Sequence, residues 1–241
     1  MPSAFFISFN AIVGHNLCSA KGMKLVRIPF IIAFVLAASA IGISYLAGIR
    51  REAEPSQYLW YDALQELGEL CRAKYRQSHI YDSYARHAER DSLLSEAAMF
   101  RALAFADNVQ CRNCQRAIES LGGRFHVPVL QQQSAVSTHT HLHHSLQEKN
   151  ALREGITQQC LHRAVGEGNR YIARIITWCD ASDIDQILIL QNQLMALSEQ
   201  SAIDEYTYHV CPTCGAISSA TLRTAYCPHC MTDGKEFHLF Q

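Results

Sequence analysis

CPTCG at 211–215 and CPHC at 227–230 are the stretch of this 241-residue chain from which the rest of the reading follows. Each places two cysteines three positions apart, and twelve residues separate the two pairs. Thiolates at C-x2-C-x12-C-x2-C spacing converge on one tetrahedral ion, because each knuckle turns tightly enough to aim both sulfurs inward. Gly215 follows the first knuckle, where a residue without Cβ lets the chain turn beneath the metal. Two disulfides are the other use of four such cysteines; a matched pair of Cys-Pro-x-Cys knuckles favours a metal. Cys211, Cys214, Cys227 and Cys230 are therefore the expected ligands of one ion. Iron and zinc both accept four thiolates at this spacing, so the ion is one or the other.

Upstream of the knuckles the chain is helical in character. From about 57 to 121 there is no proline, and glycine occurs only at 68. Leu64, Leu67, Cys71, Ala85 and Ala88 recur at three-to-four spacing, as a buried helix stripe does. Arg90-Asp91-Ser92 offers a break with Ser92 as an N-cap, the helical period resumes from Leu93 to Leu121, and Gly122-Gly123 ends it. A longer connection with Pro128 and a QQQ run follows, and Ser137 and Thr138 are N-cap candidates for a third helix over about 139–166. Glu167-Gly168-Asn169 breaks that helix before a fourth, about 170–199. Two helical hairpins joined by one long crossover make an all-α, ferritin-like four-helix bundle over 57–200, with the four-cysteine domain at 206–241.

The net charge is −1, from 21 basic and 22 acidic residues, which argues against a nucleic-acid footprint. Ten cysteines are many, but Cys18, Cys71, Cys111, Cys114, Cys160 and Cys179 fall mostly in apolar or helical contexts, where a free thiol behaves as a small hydrophobe. Cysteine usage therefore leaves the redox compartment open.

The N-terminus bears on location. Residues 28–49, IPFIIAFVLAASAIGISYLAGI, are 22 positions without a formal charge, long enough to span a membrane as a helix. Lys21, Lys24 and Arg27 precede the run and Arg50 and Arg51 follow it, a slight basic bias that places the body of the protein outside the cytoplasm. A cleavable signal peptide, cut near Ala38-Ser39-Ala40, is the rival reading of segment 23–50. Residues 1–22 are unlike an ordinary leader, and Met23-Lys24 reads as a more natural start. Pro55, within the polar EAEPS link, separates this segment from the first bundle helix.

Helix pairs followed by such a tail resemble the rubrerythrin family, over roughly residues 57–241. The segment 99–107, MFRALAFAD, is similar to that family's second helix. Ser137-Thr138 with Leu142, then Glu167-Gly168-Asn169, Ala173-Arg174 and Trp178, resemble its second hairpin. Gly234-Lys235 and Phe237 fit a rubredoxin-like closing strand. The resemblance implies a peroxide-reducing oxidoreductase, with a di-iron carboxylate site in the bundle fed with electrons by a thiolate-held iron. It also implies a homodimer.

The family's di-iron site takes a Glu from the first helix of each hairpin and a Glu-x-x-His from the second, plus one extra Glu in the second hairpin. Laid without gaps on this chain, those positions are Lys74, Asp107 and Gln110, then Lys149, Leu152, Asp183 and Gln186. No ligand Glu or His remains. Asp and Gln at i and i+3 still share a helix face. Two lysines with two aspartates sum to zero charge, so Lys74 and Lys149 are expected to replace the irons and pair with Asp107 and Asp183 across the bundle. A shifted register would put Glu69 in the core instead, but would leave both histidines missing. The reading that follows is a membrane-tethered metal-binding protein that has lost its di-iron site; the alternative is the non-haem iron oxidoreductase.

Other clusters carry less. Cys111 and Cys114, at i and i+3, make a possible redox pair, although the pair lies away from a helix N-terminus, where thiols are activated. His139, His141, His143 and His144 open the third helix and read as a solvated entry rather than a metal site. His229 is not expected to be a ligand, since four sulfurs fill the site. Trp60 and Trp178 read as core aromatics.

Overall fold

A proline-free run with small and apolar residues on one face favours long helices, and the computed structural model has them. It describes residues 61–130, 136–199, 207–219 and 224–241. The apolar run 28–49 and Trp60 lie outside the described residues; among the described helices none is long and apolar enough to cross a membrane.

Helices α1 (Tyr61–Arg90) and α2 (Leu94–Ser120) form the first hairpin. The third bundle helix consists of α3 (Thr138–Leu152), a π-helical turn (Arg153–Thr157) and α4 (Gln158–Gly166); α5 (Arg170–Glu199) closes the second hairpin. The tail adds β1 (Tyr208–Val210), β2 (Ile217–Ser219), a 3-10 turn (Gly234–Glu236) and β3 (His238–Phe240). The strands form an antiparallel sheet in the order β2-β1-β3, with Val210 opposite both Ile217 and His238.

Several local expectations need correction. Ser92 is not the cap of α2: it takes a left-handed φ of 61°, and Leu93 stands at the N-cap without a side-chain bond. Ser137 does cap α3, its hydroxyl accepting from the Thr140 amide. The third helix is continuous but not uniformly α-helical, because Arg153–Thr157 widens to i→i+5 pairing, which periodicity does not reveal. Phe237 ends the 3-10 turn instead of lying in the closing strand, which starts at His238.

The bundle interior falls into two apolar clusters. One is built around Tyr81, Tyr84, Phe100, Leu103, Leu142 and Leu190, and the tail's Tyr208, Val210 and Ile217 join it. The other gathers Leu67, Leu70, Ile172, Ile175 and Ile176 with five cysteines. Along α1, α2 and α5 a polar layer lies between them, at Lys74, Asp107 and Asp183.

Candidate metal centre and buried charge cluster

The four tail cysteines converge. Their sulfurs all lie within 4.8 Å of one another, and among the described residues this is the only such grouping of three or more His, Cys, Asp or Glu donors. Cys211 and Cys230 stand 3.5 Å apart, as do Cys214 and Cys227, so the close contacts run between knuckles. All four are free thiols, and 3.5 Å is far beyond a disulfide bond. A metal–sulfur bond of about 2.3 Å implies tetrahedral edges of about 3.8 Å, so the donor set fits a thiolate-bound ion.

The knuckles are built alike. Gly215 N–H donates to Cys211 C=O at 3.0 Å, and Met231 N–H to Cys227 C=O at 2.9 Å. Both donors have positive φ, 80° at Gly215 and 65° at Met231. Glycine announced the first turn in the sequence; nothing announced the second. Gly215 has a further reason to lack a Cβ, which would stand 2.7 Å from the Ala106 carbonyl of α2.

The tail is seated on α2 and α5 by polar contacts that the sequence did not suggest. Asn113 Nδ2 donates to Thr213 C=O at 2.8 Å, Ser182 Oγ to Gly215 C=O at 2.7 Å, and His229 Nε2 meets Asp185 Oδ2 at 3.1 Å. Trp178 Nε1 donates to His229 C=O at 3.0 Å, and its ring packs on the cysteine cluster. Trp178 is therefore half-buried at the seam between tail and bundle and is not a core residue of the bundle.

Beneath this seam lies the polar layer. Lys74, Asp107, Gln110, Lys149, Asp183 and Gln186 are all 0% exposed. Lys74 Nζ donates to both carboxylate oxygens of Asp183, at 2.5 and 2.6 Å. Lys149 Nζ donates to both oxygens of Asp107, at 3.0 and 2.9 Å, and to Gln77 Oε1 at 3.0 Å. The remaining ammonium–carboxylate separations are 3.6 Å for Lys74–Asp107 and 3.3 Å for Lys149–Asp183. Burial alone would lower the Lys149 pKa, but the Asp107 and Asp183 carboxylates together outweigh it and raise the pKa. Gln186 Nε2 lies 3.4 Å from Asp107 Oδ1 and 3.3 Å from Ser182 Oγ, linking the charge cluster to the first knuckle.

Gln110 is different. Its two amide atoms are buried without a hydrogen-bond partner, beside Gly215. Tyr81 Oη is likewise unpartnered; Lys149 Nζ lies 5.4 Å from the ring centroid. Burial, then the two aspartates, hold the Tyr81 phenol pKa well above its usual value. Leu152 is half-buried on the cysteine-rich cluster, and Glu69 is exposed.

The other sequence candidates separate. The Cys111 sulfur lies 3.7 Å from Cys71 Sγ on α1, a contact across helices that the Cys-x-x-Cys spacing did not suggest. The histidines do not form a uniform solvated entry, because His141 is 2% exposed and stacks on Tyr84, with ring centroids 3.8 Å apart. His139 and His143 do pack edge to face on the exposed side, at 4.7 Å.

No family model and no curated protein sequence matches the chain. Among solved structures, nigerythrin in its fully reduced, all-ferrous state matches with a TM-score of 0.67 at 18% identity, over 73% of this chain and 86% of that one. Mixed-valent nigerythrin matches at 0.63 over the same shares. An open-pore ferritin from the archaeon Archaeoglobus fulgidus matches at 0.52 and 12% identity, over 58% of this chain and 86% of that one. The chain therefore has a ferritin-like bundle with a C-terminal four-cysteine domain, the fold of nigerythrin, a rubrerythrin.

Proposed function

We propose that this chain is a rubrerythrin-like metal-binding protein that has given up its di-iron chemistry. In this reading the bundle is a metal-free scaffold, and the four-cysteine tail holds a single iron or zinc ion. The observation that carries it is the pairing of two buried ammonium groups, Lys74 and Lys149, with Asp183 and Asp107. An ammonium has no lone pair to offer a metal, and its charge repels one. Two lysines and two aspartates already balance, so a pair of divalent cations would add four uncompensated charges to a dry interior.

Iron in the tail would supply one-electron redox chemistry; zinc would make the tail structural. Either way the chain's own residues hold the tail at a fixed place. Trp178, Asn113, Ser182 and Asp185 bind the two knuckles to the bundle, and half-buried Cys230 leaves one edge of the cluster toward solvent. The apolar run 28–49 supports a membrane tether, with the bundle and tail on the extracytoplasmic side.

Metal analysis of the purified protein tests the central reading. About one ion per chain is expected, and about three would restore the di-iron oxidoreductase. The optical spectrum separates iron from zinc, since only ferric thiolate absorbs in the visible. Membrane fractions washed with alkaline carbonate test the tether: full-length chain is expected to stay with lipid, and chain starting at residue 51 to be released.

A further inference from the structure

Five thiols outside the tail meet in one layer of the bundle, contributed by α1, α2, α4 and α5. They are Cys71 on α1, Cys111 and Cys114 on α2, Cys160 on α4 and Cys179 on α5, all at most 4% exposed. The layer sits one helical turn from the charge cluster, since Cys71 precedes Lys74 by three residues, Cys111 follows Asp107 by four and Cys179 precedes Asp183 by four. Within it Cys71 Sγ and Cys111 Sγ stand 3.7 Å apart on different helices, with Cys71 Sγ also 3.5 Å from the Cys111 carbonyl. Cys114 interacts with Cys179, and Cys160 also senses Cys179.

We infer that Cys71 and Cys111 are a redox-active dithiol, which a hydroperoxide converts to a disulfide joining α1 to α2. The nearest alternative partner in sequence, Cys114, is three residues along the same helix, whereas Cys71 faces Cys111 across the helix–helix seam. A bond of about 2.05 Å requires the two sulfurs to close by less than 2 Å. A disulfide also suits the surroundings. It leaves no charge in an apolar layer, whereas two thiolates around a monovalent soft metal would leave one negative charge there.

The reaction balances in two steps. The Cys111 thiolate attacks the terminal peroxide oxygen, the O–O bond breaks, and a sulfenic acid forms as alkoxide leaves, or hydroxide where the oxidant is hydrogen peroxide. The Cys71 sulfur then attacks the sulfenic sulfur, the S–O bond breaks and water leaves; the two cysteines have given up two electrons and two protons. Geometry favours these roles, because the Cys71 thiol donates to the Cys111 carbonyl at 3.5 Å and so keeps its proton while Cys111 attacks. A thiol reductant reverses the reaction.

The experiment uses the full-length, metal-loaded protein. Free thiols are blocked before and after hydrogen peroxide treatment, and peptides are mapped by mass spectrometry without reduction. The expected product is a Cys71–Cys111 cross-linked peptide, released by dithiothreitol, with the tail cysteines still bound to metal. Cys71→Ala is expected to abolish it and leave Cys111 over-oxidised, at unchanged helix content by circular dichroism. The wild-type map decides the matter even where that variant fails to fold. A Cys111–Cys114 link, a link to a tail cysteine, or full retention of both thiols after peroxide would each overturn the inference.

Discussion

Lys74, on the first helix of the first hairpin, is bound through both carboxylate oxygens to Asp183, on the last helix of the second. Lys149 and Asp107 repeat the relationship in the opposite sense, from the second hairpin to the first. The two pairs thus cross-link the hairpins through a fully buried charged layer. Each ammonium also lies near the second carboxylate, so the four groups act as a single neutral unit.

Removing one member leaves a buried charge without its counterpart. Lys149→Met is expected to destabilise the bundle by about 3–5 kcal/mol, measured by chemical unfolding of the metal-loaded protein. Lys149→Met combined with Asp107→Leu is expected to recover most of that loss, because the remaining Lys74–Asp183 pair is itself neutral. Additive losses in the double variant would mean that the two residues do not act as a pair.

Gln110 and Gln186 occupy matched positions in the two hairpins yet differ in what they bond. Gln186 donates toward Asp107 and Ser182, whereas both amide atoms of Gln110 are unpartnered. Gln110→Leu removes two unsatisfied polar atoms at similar volume and is expected to leave stability unchanged or raise it by about 1 kcal/mol. Gln186→Leu is expected to lower it by about 1–3 kcal/mol. Unfolding midpoints of the two variants give the comparison, and equal losses would contradict it.

Much of this arrangement was legible in the sequence, for definite reasons. The resemblance to rubrerythrins placed Lys74, Asp107, Lys149 and Asp183 at that family's ligand positions, and helix spacing then put each Asp on the same face as the Gln three residues on. Cysteine knuckles are local, so their convergence followed from spacing. The contacts that seat the tail were not legible, because Asn113–Thr213 and Ser182–Gly215 join residues far apart in the chain by single hydrogen bonds with no periodic signature. Nor was the facing of Cys111 and Cys71. Proximity along the chain drew attention to Cys114, while helix packing chose the partner. The left-handed turns at Ser92 and Met231 escaped for a related reason, since neither carries the glycine that usually marks one.

Seating of the tail depends on the ion and on the close approach at Gly215. Stripping metal from a Trp60→Phe variant with a chelator leaves Trp178 as the only tryptophan. Its emission is expected to shift to the red as the indole loses the His229 carbonyl and meets water, while helix content is retained. Gly215→Ala is expected to produce part of the same shift with metal present. A Cβ there meets the Ala106 carbonyl at 2.7 Å, and the residue needs a φ of 80° that costs alanine about 1–2 kcal/mol. Unchanged Trp178 emission on metal loss would show that the tail docks independently of its ion.

Alkaline pH attacks the charge cluster from two directions that share one sign. Lys149 has a folded pKa raised above its ordinary 10.5, since the Asp107 and Asp183 carboxylates overcome the effect of burial. Its contribution is fully present below that value and is lost as pH rises through the folded pKa. Tyr81 is held neutral well above 10 by burial and the same carboxylates, so above pH 10 the unfolded chain ionises first and gains on the folded one. Stability is therefore expected to fall as pH climbs beyond about 10, by about 1.4 kcal/mol per pH unit for each group that titrates in the unfolded chain alone. Urea unfolding from pH 8 to 12 measures this slope. Tyr81→Phe and the Lys149→Met/Asp107→Leu pair are each expected to reduce it by about one proton. An unaltered slope in both would mean that neither group is held in the buried state described, and the neutral cluster would then owe its stability to something other than its charges.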